Sequence, residues 1–382
     1  MNIAILDFEH YQYLKTLIDL FNVGGNKIHV FTSDKTEKNI KSFLTADELK
    51  NVVFYSKINE LFTEYSTRMK EKTKHLPEVD LFFINPFYPY TRYDGTVKHY
   101  YQFIKSIKAK KRLLSISNLH TWYKPSISRP GHLTNFIYRK KILRLINTLV
   151  LVNEMETYAK EVLKIKKPII NIPFTYYKPF EKTETRETPL NIVVPGEVSL
   201  ERRDYHTLID AIELYTQKNT NFKIQFLGSI NQGYLNTKKL VSRIDTLNQQ
   251  IGKEIIKLFK DGIQVEKFEE QMRSADFIIS PLVLGIKVFE TEEVYGTSKF
   301  SGATFDIITY RVPGIFPQYL VTDPEFSYGI KKYKNAEHLA SLIEKMVEDI
   351  NYLNAMKEKA TFVSEKCRLE KWRAKIFSAL AI

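Results

Sequence analysis

Short, continuous apolar runs rich in β-branched and aromatic residues recur along this chain, spaced so that a helix fits between most neighbours. In the first half they are NIAILDF (2–8), KIHVFTS (27–33), NVVFYS (51–56), VDLFFIN (79–85), RLLSISN (112–118), TLVLVN (148–153) and PIINIPF (168–174). Runs of this length without polar alternation suit strands buried on both faces of a parallel sheet. Helical patterns lie between them, for example over Tyr11–Phe21 and Glu154–Leu163. Strand–helix–strand repetition predicts a doubly wound α/β domain.

At KPFEKTETRETP (178–189) the pattern stops in a charged stretch with two prolines and no periodic apolar face, which reads as a linker. It restarts with NIVVPG (191–196), a helix from Tyr205 to Gln217, FKIQFLGS (222–229), a long helix around 236–260 and IQVEKF (263–268). A short helix near 269–275, DFIISPL (276–282), a loop, a helix near 300–310 and VPGIFP (312–317) follow, and the last forty residues read as helical. The expected organisation is a first Rossmann-like domain over 1–178, a linker over 179–189, a second over 190–365, and a terminal helix over 366–382 packing back on the first. Two such domains would face a central cleft, with ligands beyond the carboxyl ends of the strands.

Composition narrows the class. The chain has 382 residues, 43% of them hydrophobic, with 25 Phe and 23 Tyr, enough for two cores. No apolar run approaches the roughly 18 residues of a membrane helix. Asp7 and Glu9 interrupt the opening MNIAILDFEH where a signal peptide would need an apolar core. The single cysteine, Cys367, excludes an intramolecular disulfide and a cysteine-based zinc site. A soluble, cytoplasmic protein is expected. Its 57 Lys and Arg exceed its 44 Asp and Glu by 13. Twelve of the cations fall between Lys98 and Arg144, where there is no acid at all. Such a segment attracts phosphates, anionic lipid or nucleic acid.

Three segments of the second half fall at strand ends. In PGEVSLERRDYHTLIDA (195–211), Gly196 and Glu197 follow a strand, and Arg202 and Arg203 stand before a helix, where backbone amides and forked donors suit a diphosphate. In FLGSINQG (226–233), Gly228 permits a close backbone approach. In YGTSKFSGATFDIITYRVPGIFP (295–317), Thr297, Ser298, Lys299 and Gly302 surround a helix start, with Asp306 two turns on. A carboxylate can accept from two neighbouring ribose hydroxyls at once.

VVPGEVSLERRDYHTLIDAI and KFSGATFDIITYRVPGIFP together resemble the nucleotide-sugar domain of GT-B glycosyltransferases, in particular the retaining, metal-independent bacterial group. The likeness covers roughly 190–320, and the first half in architecture alone. It places Asp306 at the second glutamate of the family's Glu-x7-Glu pair and Pro313 at its closing proline. The first glutamate falls on Ser298 and the glycine before the proline on Arg311, so the pair is altered. The resemblance implies a nucleotide-diphosphate sugar donor, no metal or other cofactor, and a glycan or lipid-linked acceptor. Arg202 or Arg203, Lys299 and helix amides would neutralise the departing diphosphate.

On the acceptor side, His10 and Glu9 lie just past the first strand and His120 past the fifth; any of them could take or orient the acceptor proton. The resemblance to the retaining group implies instead no protein nucleophile and a proton received by the donor phosphate itself, and the sequence leaves retention and inversion both open. Tyr88 and Arg92, in an aromatic loop, and the cations Lys110, Lys111, Arg112, Arg139, Lys140 and Lys141 form the expected acceptor or membrane surface. In similar enzymes such a surface rests on the inner face of an anionic membrane. Two readings compete. One is a GT-B transferase acting on nucleic acid, which no standard nucleic-acid motif supports. The other is a non-catalytic nucleotide-sugar-binding protein, favoured by the altered acidic pair. A nicotinamide-dependent oxidoreductase is disfavoured because no G-x-G-x-x-G follows an early strand.

Overall fold

The computed structural model describes residues 1–85, 97–125, 130–180, 189–230, 235–288 and 291–381. The chain divides into two compact units. Unit 1 comprises Met1–Thr175, Lys287–Phe300 and Leu369–Ile382, and unit 2 comprises Tyr176–Ile286 and Ser301–Arg368.

Unit 1 is built on a seven-stranded sheet. Its strands are β1 (Asn2–Leu6), β2 (Lys27–Ser33), β3 (Val52–Lys57), β4 (Val79–Ile84), β5 (Ala109–Ser115), β6 (Thr148–Leu151) and β7 (Ile169–Asn171). They lie in the order β3-β2-β1-β4-β5-β6-β7, every pair parallel. All seven predicted runs became strands. The reason is visible at Ile5, flanked by Val30 on β2 and Phe83 on β4, all three with no exposed surface. Each such side chain contributes about 1.5–3 kcal/mol of burial. The last helix, Leu369–Leu380, belongs to this unit: Phe377 stacks on Phe21, and Arg373 donates to the carbonyls of Leu20 and Asp19 at 3.0 and 2.7 Å.

Unit 2 carries a six-stranded parallel sheet of β8 (Leu190–Pro195), β9 (Phe222–Leu227), β10 (Ile256–Leu258), β11 (Phe277–Ile279), β14 (Gly314–Pro317) and β15 (Ile330–Tyr333), in the order β10-β9-β8-β11-β14-β15. Ile192 of β8 sits between Ile224 and Phe277, in a core completed by Leu208, Ile212 and Ile343 from the covering helices. Three local expectations fail. The long helix spans Leu235–Ile251 and stops short of 260, giving way to β10. IQVEKF is not a strand; it opens the helix Val265–Arg273, and the strand is the preceding IKL of β10. Val265, Phe268 and Met272 recur at helical spacing, which the six-residue window concealed. The segment read as a loop contains a two-stranded sheet, β12 (Gly285–Val288) with β13 (Thr291–Val294), too short and too charged to register as apolar runs.

The first turns after β8 and β9 touch. Gly196 adopts φ +92, and a Cβ on Gly228 would fall on the Gly196 carbonyl, well inside van der Waals contact. Both partners are backbone, so neither can swing aside. Gly228→Ala should therefore lower the unfolding free energy by about 3 kcal/mol, read from urea denaturation midpoints.

Candidate functional site

In an open parallel sheet the strand order reverses at one point, and side chains beyond the carboxyl ends of the two strands there are free of sheet packing. In unit 2 that point lies between β8 and β11, and in unit 1 between β1 and β4.

At the unit 2 position the adjacent arginines have different duties. Arg203 is buried, and its guanidinium donates from Nη1 to the Glu197 carbonyl and from Nη2 to the Pro195 carbonyl, both at 2.7 Å. It braces the turn, and a Cβ at Gly196 would collide with it. Arg202 projects outward, 3.6 Å from the Glu197 carboxylate, with both side chains well exposed. Asp204 then caps the helix Tyr205–Thr216, accepting from the Thr207 amide at 3.1 Å. The sequence pair thus splits into one structural and one outward-facing cation.

Asp306 lies midway along the helix Gly302–Tyr310, whose start is capped by the Ser301 hydroxyl accepting from the Ala303 amide at 3.3 Å. Gly302 is exposed, with open space where a side chain would stand. Phe305 and Ile307 beside Asp306 are buried, whereas Asp306 is half-buried. Among the described residues its carboxylate has no hydrogen-bond or ion-pair partner. Burial raises its pKa from 3.8 to about 7, the nearby Glu269 carboxylate adds to the rise, and Arg203 opposes it. Glu269 itself accepts from the Tyr310 hydroxyl at 2.8 Å. The helix ends at Arg311, left-handed at φ 54, where the resembled family has glycine. Arg311 donates to the Phe180 carbonyl at 2.9 Å and lies over the rings of Phe180 and Tyr177, contacts that offset the roughly 1 kcal/mol of a left-handed non-glycine residue.

Gly296, Thr297, Ser298 and Lys299, at the start of the 295–317 segment, belong to unit 1. Ser298 is fully buried; its Oγ accepts from the Val294 amide at 2.9 Å and its carbonyl from the Leu119 amide at 2.8 Å. The Thr297 amide donates to the Val294 carbonyl at 3.1 Å, and Lys299, also buried, donates from Nζ to Asn118 Oδ1 at 2.7 Å. What the sequence joined in one motif is shared between the units.

In unit 1, the turn after β1 carries Asp7, a residue outside the candidate site read from the sequence. Its buried Oδ1 accepts from the amides of Glu9 and His10, both at 2.9 Å, and its Oδ2 from the side-chain amide of Asn85, just past β4. His10 Nδ1 stands 3.6 Å from Asp7 Oδ1. Burial disfavours charge on Asp7, but His10 and Asn85 outweigh it and hold its pKa below the ordinary value. Burial likewise works against the imidazolium of His10, yet Asp7 and Glu9 prevail over it and over Lys299, so its pKa is raised. Glu9 is exposed. The D-x-x-H spacing at a strand end was the signal available for Asp7; Asn85 had none beyond its place after β4.

His120 is buried with both ring nitrogens engaged, Nδ1 with the Glu292 carbonyl and Nε2 with the Tyr158 hydroxyl, each at 2.6 Å. Beside it the fully buried Glu293 accepts from the amides of His120 and Thr121 at 3.3 and 2.7 Å and from the Thr121 hydroxyl at 2.8 Å. His120 thus belongs to a clamp that fastens the 287–300 segment within unit 1.

Tyr88 and Arg92 lie outside the described residues. Lys110, Lys111 and Arg112 occupy the opening half of β5, at the end of the strand remote from Ser115. Lys110 pairs with Asp80 at 2.7 Å, Lys111 donates to the Leu380 carbonyl, and Arg112 donates to the Ile107 carbonyl at 2.8 Å. Arg139 is buried against Phe136, Lys140 lies over Phe136 and Tyr123, and Lys141 lies over Tyr138. No helix among the described residues is long and apolar enough to cross a membrane.

The architecture has solved counterparts. Sucrose-phosphate synthase from Thermosynechococcus elongatus matches with a TM-score of 0.64 at 12% identity, covering 99% of this chain and 98% of that one. A UDP-forming α,α-trehalose-phosphate synthase from Burkholderia xenovorans, in complex with glucose-6-phosphate, gives 0.60 at 8% identity, with 99% of each chain covered. A putative UDP-N-acetylglucosamine 2-epimerase from Listeria monocytogenes gives 0.55 at 11%, covering 96% and 94%. No family model matches the sequence, and no curated protein matches it either. At these identities the likeness establishes the fold, and that fold is GT-B, as the sequence resemblance implied.

The raised pKa of Asp306 has a thermodynamic consequence. Unfolded, it releases its proton near 3.8; folded, near 7. Between those values the native state binds more protons, so stability falls as pH rises through the window. Asp306→Asn removes that titration. The stability of the variant relative to the parent should be level below about pH 4 and climb toward about pH 7, followed by urea midpoints across the range.

Proposed function

We propose that this protein is a glycosyltransferase that moves a sugar from a nucleoside-diphosphate donor to a glycan or lipid-linked saccharide acceptor. Asp306 carries the reading. A half-buried carboxylate lacking a partner among the described residues, near an arginine-braced turn at a sheet's switch point, suits vicinal ribose hydroxyls, which would satisfy both of its oxygens. Arg202 is assigned to the diphosphate, because the terminal nitrogens of Arg203 are held by backbone carbonyls. As the anomeric carbon–oxygen bond breaks, charge collects on the departing diphosphate, and Arg202 stabilises it there. His10 of unit 1 is the group assigned to the acceptor proton. The solved counterparts of this fold include two named as sugar-phosphate synthases, which favours transfer.

Thermal unfolding with UDP, GDP, dTDP and CMP tests the donor assignment. One of the four, at a hundredfold excess over its dissociation constant, should add about 2.7 kcal/mol of stability. Asp306→Ala and Arg202→Ala should each weaken that nucleotide by about tenfold or more. Four flat responses would remove the proposal, and binding without transfer or donor hydrolysis would favour the non-catalytic reading.

The helix Pro130–Leu145 gives a reason to place the acceptor at a membrane surface. Leu133, Ile137, Lys141 and Arg144 are exposed, and their spacing puts them within about 80° of one another on the helix. Two apolar residues followed by two cations on one stripe suit an anionic interface. The protein should sediment with vesicles containing phosphatidylserine and not with neutral ones. Lys141→Glu with Arg144→Glu, or high salt, should release it. Retention on duplex DNA but not on vesicles would favour the nucleic-acid reading instead.

A further inference from the structure

We infer that Asp7 is the positioning residue of unit 1, holding His10 with Nδ1–H turned toward its carboxylate so that Nε2 is left to receive the proton of the acceptor hydroxyl. The inference rests on the sugar-transfer reading for its role, but its geometry stands independently.

Asp7 is fixed from three sides. The amides of Glu9 and His10 and the side chain of Asn85 all donate to it, and its side chain has no exposed surface. A buried carboxylate held by so many donors stays charged and stays in place. His10 Nδ1 faces it at 3.6 Å and is buried without a hydrogen-bond partner among the described residues, while 27% of the side chain's surface is exposed. With Nδ1 buried, the exposed surface belongs to the remainder of the ring, of which Nε2 is the other nitrogen. Phe174 closes edge-on against the ring at 6.2 Å between centroids, and Phe174 itself stacks on Tyr13 and tilts against Phe300. The imidazole is walled on one side by Phe174, itself braced by Tyr13 and Phe300, and is aimed by Asp7.

Asp7 and Glu9 from the turn of His10 favour the imidazolium; Lys299, from the 287–300 segment, opposes it. Asn118 accepts from Lys299, fixing that amine. An anion at Nδ1 selects the Nδ1–H tautomer of neutral imidazole, which leaves a lone pair on Nε2. In the transfer step the acceptor O–H proton passes to Nε2 while the acceptor oxygen bonds the anomeric carbon, and the nucleoside diphosphate departs with the electron pair of the broken bond. The Asp7 charge stabilises the imidazolium that results and takes no proton itself.

The competing account is that Asp7 only ties the turn by accepting the Glu9 and His10 amides. Asp7→Asn separates the two, because an asparagine oxygen can still accept those amides but carries no charge. Histidine 15N–1H correlation spectra, with the His10 signal assigned through His10→Gln, should show the Nδ1–H tautomer in the parent. The His10 midpoint should move to lower pH in Asp7→Asn. In transfer assays the acid limb of the kcat/KM profile should move to lower pH with it, and kcat should fall by about a hundredfold with the donor KM unchanged. An Nε2–H tautomer in the parent, or a His10 midpoint unmoved by Asp7→Asn, would overturn the inference. A responsive midpoint in a protein that transfers no sugar would leave the positioning intact and remove the sugar-transfer reading.

Discussion

The burial of parallel strands on both faces governs where chemistry can occur in this protein. Ile5, Val30 and Phe83 in one sheet, and Ile192, Ile224 and Phe277 in the other, expose essentially nothing. A charged group within such strands would need a buried partner. Groups able to meet a ligand are therefore pushed to the turns beyond the strands. Asp7, His10 and Asn85 occupy one such edge, and Gly196, Glu197, Arg202 and Arg203 the other. The close contact of Gly196 with Gly228 belongs to the same constraint, since it draws neighbouring strand ends together under the arginine-braced turn.

Two carboxylates show how differently this scaffold treats the same group. Asp7 is surrounded by donors and held ionised, fit to orient a neighbour. Asp306 has apolar neighbours and another acid nearby, and lacks a partner among the described residues. The first is a finished arrangement; the second is costly until something pairs with it, as expected of a residue whose partner is a ligand. Arg202 and Arg203 divide in a similar way, one spent on backbone carbonyls and one directed outward. Function in this reading belongs to the members not bound up in the backbone of the fold: Asp306 and the outward-facing Arg202.

Much of the fold was legible because buried parallel strands produce uninterrupted β-rich runs, and all seven strands of unit 1 were found from them. Failures came where a signal was short or shared. IQVEKF suits strand and helix over six residues, and the four-residue strands β12 and β13 carry charges on their exposed positions. The candidate site was legible in part. Asp306, His10 and the arginine pair stand at places the motif and the strand ends indicate. Asp7 carries no comparable signal, because an acid after a strand is common and only its donors distinguish it. His120, also at a strand end, proved to be held on both nitrogens.

By itself the sequence determined the two α/β units, the strand-end turns and the helix bearing Asp306, because local periodicity and turn chemistry decide these. Tertiary structure decided which polar residues are already satisfied. His120 and Thr121 meet Glu292 and Glu293 across about 170 residues of chain, and Lys299 finds Asn118 at a similar separation. Those pairings draw the 287–300 segment into unit 1, although it lies within the second half of the chain. Hydrogen-bond partners so distant in sequence leave no local pattern, since their distance in space is set only when both sheets and their turns have formed.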